Sequence, residues 1–581
     1  MKVFLHTAVL LLITSSIAQA LPGRTNNDRF NSGRRYPARE PMQAQRLEAP
    51  TFMANSSWRI VKPEWTSQDE AKFAAFLVSI GGAVERRECE TVDGCLRSSA
   101  NPYRNTDPAN LRLFADCADL PYYLRAYFAW KNGLPFSFVS SVSIRPGDGD
   151  PGKDPRYSRF GNVAVKRYSV VSLARGSRVV MPDAVTILNR TLINSTYTGT
   201  FRMIGDQDGS VFSDFYPVKL NRQGIRAGTV IYDPNGHVAI IYRVTEDGRV
   251  FYIDSHPDNT LTSGMYTPKF SRSFPYQGAG FKNFRPLSLQ GAKRDSSGVY
   301  YGGKIVGAKN ASLPQFSYEQ FYGTNPDPAG DWKKGKFLFN GQPLAYFDYV
   351  RIKLASPGFR LDPLLDIKEL TQDICVSVKD RVVAVNTAIK SGVANKEHPV
   401  RLPMNIYGSQ GEWEDYASPA RDARLKVSYM DLLAQAKQLL ERWKARDPSL
   451  VYNGGNLAAD LLNIYTTEAR SCRIAYTNSD RRAVTLDVDQ IRQRVFDLSF
   501  DPYHCVEYRW GASSAQELAS CRDNDNKREW YAREVWLRNQ WERRYDVRMD
   551  FSLEELTGPM PGAGIAQPPD VDIVRFLTSQ K

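Results

Sequence analysis

The chain is poor in histidine, has no long hydrophobic run beyond its N-terminus and carries no internal repeat, and each shortage removes a class of protein. No later stretch approaches the roughly 18 apolar residues that a transmembrane helix needs. There are five histidines in 581 residues. With no C-x-x-C, H-E-x-x-H or phosphate-binding glycine loop, the chain offers no metal or nucleotide motif, and no cofactor is expected. Asp206-x-Asp208-Gly209 and Asp148-x-Asp150 begin like calcium loops but lack the glutamate at position 12, so calcium is not expected either. The formal charge of +13 is spread without a long basic block. That pattern suits anionic polymers or lipid surfaces better than nucleic acid.

What is present begins with an export signal. Met1-Lys2, an apolar core from Ala8 to Ile13 and the A-x-A site Ala18-Gln19-Ala20 read as a signal peptide over 1–20. A soluble protein, periplasmic or secreted, is the expectation. Residues 21–51, rich in Arg, Asn, Pro and Gln without an apolar period, read as a flexible leader. The remaining length calls for more than one core. The reading is an α+β domain over 52–290, with a β-rich insertion at about 138–224, followed by a mainly helical domain over 300–581.

The seven cysteines are an odd number, so an oxidising compartment leaves at least one thiol free. Proximity suggests Cys89 with Cys95 and Cys505 with Cys521. Cys375 and Cys472 then bridge distant segments, and Cys117 is left over. Other connectivities stay open, as does an inert, buried Cys117.

Apolar spacing predicts a helix from Ser67 to Ile80 stopped by Gly81-Gly82, and a turn at Asp93-Gly94. A second helix follows Cys117, with Pro121 in its first turn and a stop at Asn132-Gly133. Val163–Val171, Arg178–Met181 and Thr200–Ile204 read as strands. Val230–Tyr232, His237–Val244 and Val250–Asp254 read as a hairpin array turning at Asp233–Gly236 and Asp247-Gly248. Beyond these, long helices are expected through Ile367–Ile389, through Leu432–Trp443 and over Lys527–Arg548. The last carries Trp530, Leu537, Trp541 and Tyr545 on a packed face.

Cys117 is the candidate nucleophile. A helix start stabilises a thiolate, and the Cys117 backbone N–H is a natural oxyanion donor, although Asp116 and Asp119 oppose the thiolate charge. Among the remaining histidines, His398 and His504 read as surface or packing residues. His237 opens a strand after a glycine turn. With a two-residue Asp247-Gly248 loop, strand parity puts His237 on one face with Asp254 and His256, and His256 is the nearer. Either could hold the imidazole in its useful tautomer.

Asp-Cys-Ala-Asp-Leu at 116–120 resembles the nucleophile motif of NlpC-type cell-wall peptidases and the related CHAP amidases. Gly236-His237-Val238-Ala239-Ile240 is similar to the CHAP hairpin, and Ile225–Val230 to its lead-in, with Thr229 where Asp is usual. The resemblance implies a papain-like core with Cys117, His237, Asp254 and His256 at the site. It also implies a thiol amidase acting on peptidoglycan or another envelope polymer. No upstream glutamine matches, so Asn105 and Asn110 are the candidates for the second oxyanion donor. A thiol acyltransferase, or a binding protein with a disused site, fits the same residues.

Overall fold

Thr66 and Asp69 start the first helix by capping one another reciprocally, which satisfies two of the free amides at the end of α1 (Ser67–Glu85). This helix does not stop at Gly81-Gly82 as the sequence suggests. A Cβ on Gly81 would stand 2.1 Å from Cγ of Tyr242. The glycine lets the helix lie directly against a strand, and its packing role overrides its weak helix propensity. The expected turn at Asp93-Gly94 is instead a short helix, α2 (Val92–Arg97), capped by Thr91. Helix α3 (Asp119–Asn132) is buried along nearly its whole length and closes on Gly133 at φ 64°.

The computed structural model describes residues 55–147, 154–205, 211–408, 411–545, 547–557 and 562–580. The expected signal and leader and both aspartate-rich loops lie outside the described residues. Helix and strand make up 37% and 20% of the structure, a mixed α+β protein. Strands β1 (Phe136–Ile144) and β2 (Asn162–Val170) pair as a separate ribbon. Thr198–Thr200 is a 3₁₀ turn, so the strand expected at Thr200–Ile204 is absent.

The central sheet is antiparallel. It is built from β3 (Phe215–Pro217), β4 (Val230–Asp233), β5 (His237–Val244), β6 (Val250–Ser255), β7 (Leu261–Met265) and β8 (Gly280–Phe284), in the order β3-β8-β4-β5-β6-β7. Alternation sorts its two faces. Val230, Tyr232, Val238 and Ile240 point into the core shared with α1 and α3. Ile231, Ala239, Ile241 and Tyr252 point into a second core with Leu313, Phe337 and α4 (Tyr346–Leu354). The boundary expected near residue 300 therefore runs through a shared core. The described residues from 55 onward form one compact unit.

The far half is built on α5 (Pro363–Ser391), α6 (Pro419–Lys444) and α7 (Leu457–Ser471), which bury a third core. The helix expected over 527–548 breaks into α8 (Asp525–Arg533) and α9 (Val535–Asn539), with Gln540 extended. Beyond that break the chain is drawn to the sheet, because the Arg543 guanidinium pairs with Asp233 at 2.6 Å, both nearly fully buried. The three disulfides are Cys89–Cys95, Cys375–Cys472 and Cys505–Cys521, which leaves Cys117 as a free thiol.

Candidate functional site at Cys117

Cys117 sits just before α3, where the chain enters the gap between the start of β5 and the end of β6. Ser255 Oγ donates to the Ala115 carbonyl and pins this approach. The half-buried Cys117 sulfur lies 4.0 Å from the Gly236 carbonyl oxygen, with the Val238 N–H directed at it. The thiol thus flanks the backbone on both sides of His237. It is not hydrogen-bonded to the imidazole.

The His237 ring lies on the face that carries Ala239 and Ile241. There, Nε2 meets Asp254 Oδ2 at 2.6 Å. This corrects the preference for His256. The β5–β6 loop runs over five residues and a bulge sits at Tyr242, so Ile240 pairs with Ile253 and Ile241 with Tyr252. That register is two residues away from the one a two-residue turn gives. Continued along the strands it sets His256 opposite His237 and Asp254 diagonally beside it, and the imidazole turns to the carboxylate. His256 stacks parallel to His237 with centroids 5.9 Å apart. Its Nε2 meets Thr262 Oγ1 at 3.2 Å, and that hydroxyl donates to Asp254 Oδ1 at 2.5 Å. His256 therefore steadies Asp254 through Thr262, a residue that carries no motif in the sequence.

The electrostatics favour a neutral pair at rest. Burial, then the Asp116 carboxylate, push the Cys117 thiol well above its ordinary range, and the Val238 N–H only partly offsets them. The helix-start effect expected for the thiolate is cancelled locally. Asp116 Oδ1 accepts from the Ala118 and Asp119 N–H groups at 2.8 and 2.9 Å, so a carboxylate already occupies the positive end of α3. Asp119 is buried and bonded to Thr196, and burial together with Asp116 raises its carboxyl to about 8. Burial, then Arg424 and Arg543, lower His237 despite the Asp254 bond. Asp254 resists its own burial and ionises easily, because His237 and His256 hold its charge.

The Cys117 N–H donates to no acceptor among the described residues, so it is free to serve as an oxyanion donor. Asn105 and Asn110 are exposed, and the Asn110 carbonyl accepts from Asn189 Nδ2. Neither joins the site.

The cover over the site comes from the far half. Tyr545 approaches Gly236 so closely that a Cβ there would stand 3.0 Å from its ring, at a backbone φ of 75°. The ring stacks on Tyr157. Next to it opens a cleft of about 760 Å³, flanked by Pro234, Asn235 and Tyr545. Its walls carry seven Arg and Lys side chains and one acid, Glu542. Arg156, Lys269 and Arg543 pair with Asp154, Asp373 and Asp233, whereas Arg159, Arg202 and Arg272 meet no carboxylate among the described residues. Sequence reasoning missed this cover because its residues follow the hairpin by more than 150 positions, and the helical spacing that includes Tyr545 does not report a contact with Gly236.

Compared with models of known families, with curated proteins and with solved structures, the chain matches none.

Proposed function

We propose that the chain is an exported thiol hydrolase that cleaves an amide bond, with Cys117 as nucleophile and His237 as general base on a papain-like, NlpC/CHAP-type arrangement. The observation that carries this reading is the 2.6 Å bond from His237 Nε2 to Asp254, with the Cys117 sulfur against the same strand. With Nε2–H committed to Asp254, Nδ1 is the nitrogen left to take a proton. A thiol held protonated and an imidazole held neutral fit a pair that transfers its proton only as the thiol attacks. A turn of the thiol toward Nδ1 begins that step. Sulfur then adds to the carbonyl carbon and the oxyanion falls to the Cys117 N–H. Imidazolium gives the proton to the leaving amine, and water drawn by His237 releases the acid.

The basic cleft beside Tyr545 supports an anionic polymer as substrate, and peptidoglycan is the class that best joins amide bonds to negative charge. The test is release of new amino groups from purified sacculi by the full-length protein. Cys117→Ala should lose at least about 1,000-fold in rate, and a Cys117→Ala protein with full activity sinks the reading.

A further inference from the structure

The far half holds a second polar cluster, entirely sealed, that the thiol chemistry does not use. His398, placed by sequence reasoning at the surface or in packing, has a side chain with no exposure, and so do Asp501, His504 and Glu534. His398 stacks on Trp530 of α8 with centroids 4.0 Å apart. Glu534 sits at the break between α8 and α9. One donor atom each from His398, Asp501 and Glu534 lies within 4.8 Å of the others.

Three features of the hydrogen bonding are unusual for a buried network of this kind. His398 Nδ1 faces the Pro399 carbonyl at 2.6 Å, and a carbonyl only accepts, so Nδ1 carries the hydrogen. The other ring nitrogen, Nε2, faces Asp501 Oδ2, 2.7 Å away. Neither oxygen of Glu534 receives a hydrogen bond, although both are buried. Two carboxylates therefore share a closed space with the His398 ring, whose Nε2 faces Asp501. The guanidinium groups near them do not hydrogen-bond either carboxylate: Arg538 donates to the Tyr531 carbonyl and Arg509 to Tyr416 and Ser418, and each keeps buried N–H without a partner among the described residues. A buried charge without a partner is costly, and something positive belongs between these atoms.

We propose that His398, Asp501 and Glu534 bind a divalent transition-metal ion, with zinc the best match. Two carboxylates and a neutral imidazole balance a 2+ charge, and this mixed nitrogen–oxygen set suits zinc better than calcium or magnesium. A hydrogen bond from the far ring nitrogen to a backbone carbonyl is the usual way a metal-binding histidine is oriented. Bonds of 2.0–2.1 Å put tetrahedral ligands roughly 3.3 Å apart, so the 2.7 Å gap opens by about half an ångström on loading. The second Glu534 oxygen or a water completes the shell. His504 stands behind, its Nδ1 4.0 Å from Glu534 and bonded to Ser499 Oγ, its Nε2 meeting the Lys527 carbonyl. The ion would clamp three segments, around residues 398, 501 and 534, beside the Cys505–Cys521 disulfide.

The experiment strips full-length protein with EDTA and returns Zn²⁺ alone, reading metal content by mass spectrometry and the melting temperature by calorimetry. One equivalent is taken up and the melting temperature rises. X-ray absorption at the zinc edge shows a nitrogen–oxygen shell with imidazole and no sulfur. Glu534→Gln, of equal size, binds at least about 100-fold more weakly, whereas Cys117→Ser binds like the wild type. A wild-type protein that holds less than a tenth of an equivalent and melts unchanged overturns the proposal in favour of a shared proton. A Glu534→Gln protein that binds as tightly as wild type overturns it too. If that variant does not fold, the wild-type absorption shell decides, and sulfur in it refutes the assignment.

Discussion

Replacing Arg543 with methionine removes one member of the ion pair that holds the far half of the chain over the thiol. The guanidinium is 4% exposed and Asp233 fully buried, so solvent does not soften the loss. Nη2 also donates to the Lys269 carbonyl at 2.8 Å. Breaking a buried pair from one side costs about 3–5 kcal/mol, chiefly because the remaining charge is stranded. If that cost falls on the opening of the 540–545 segment, the open fraction rises by roughly 100- to 5,000-fold, at about 1.4 kcal/mol per tenfold. The assay is the rate at which a bulky maleimide labels native Cys117, followed by mass spectrometry. Adding Asp233→Asn removes the stranded charge and should restore part of the melting temperature lost by Arg543→Met. Two results refute the reasoning: labelling within threefold of wild type, or a double variant no more stable than the single one.

Two further outcomes are expected. Asp119 binds its proton more tightly folded than unfolded, since burial and Asp116 raise it to about 8. Its contribution to stability is thus complete below about pH 4, falls as pH rises from there, and is gone once pH passes about 8. Asp119→Asn should melt with a smaller decline than wild type between about pH 4 and pH 8, and an equal decline counts against the assignment. Gly81→Ala gains about 1 kcal/mol of helix propensity but drives a methyl into Tyr242. A net loss of about 1–3 kcal/mol from overpacking is expected in thermal melts, and a stabilised variant would mean that α1 is free to shift.

The parts of the fold that follow from local chemistry were legible in the chain. The cysteine arithmetic isolated Cys117, and helix α3 begins and ends where Pro121 and Gly133 put it. Parity placed His237, Asp254 and His256 on one face. The order of preference between the last two followed backbone distance, whereas the His237 ring turns to its charged diagonal neighbour, Asp254. Gly81 was misread because a helix stop and a close helix–strand contact need the same residue. The long helix expected through residue 548 has the right period, but the pull of Asp233 on Arg543 unwinds its second half. The cover at Tyr545 and the pocket at Glu534 were illegible for a common reason. Both are juxtapositions of distant segments, which the period of a single helix does not reveal.

The 310 residues that separate Asp233 from Arg543 also set an order of events in the making of the protein. A ribosome adding 5–20 residues each second needs roughly 15 to 60 s to cover that distance. Throughout that interval Cys117 has emerged but its cover has not. The elevated thiol pKa belongs to the finished fold, so the nascent cysteine has ordinary reactivity toward the six that must pair. The Cys89–Cys95 link closes over a sequence separation of 6 and can form at once, whereas Cys375 waits for Cys472, 97 positions later. During maturation, then, the residue proposed as nucleophile is first a competitor for oxidation. The arrival of Arg543 and Tyr545 takes Cys117 out of that contest.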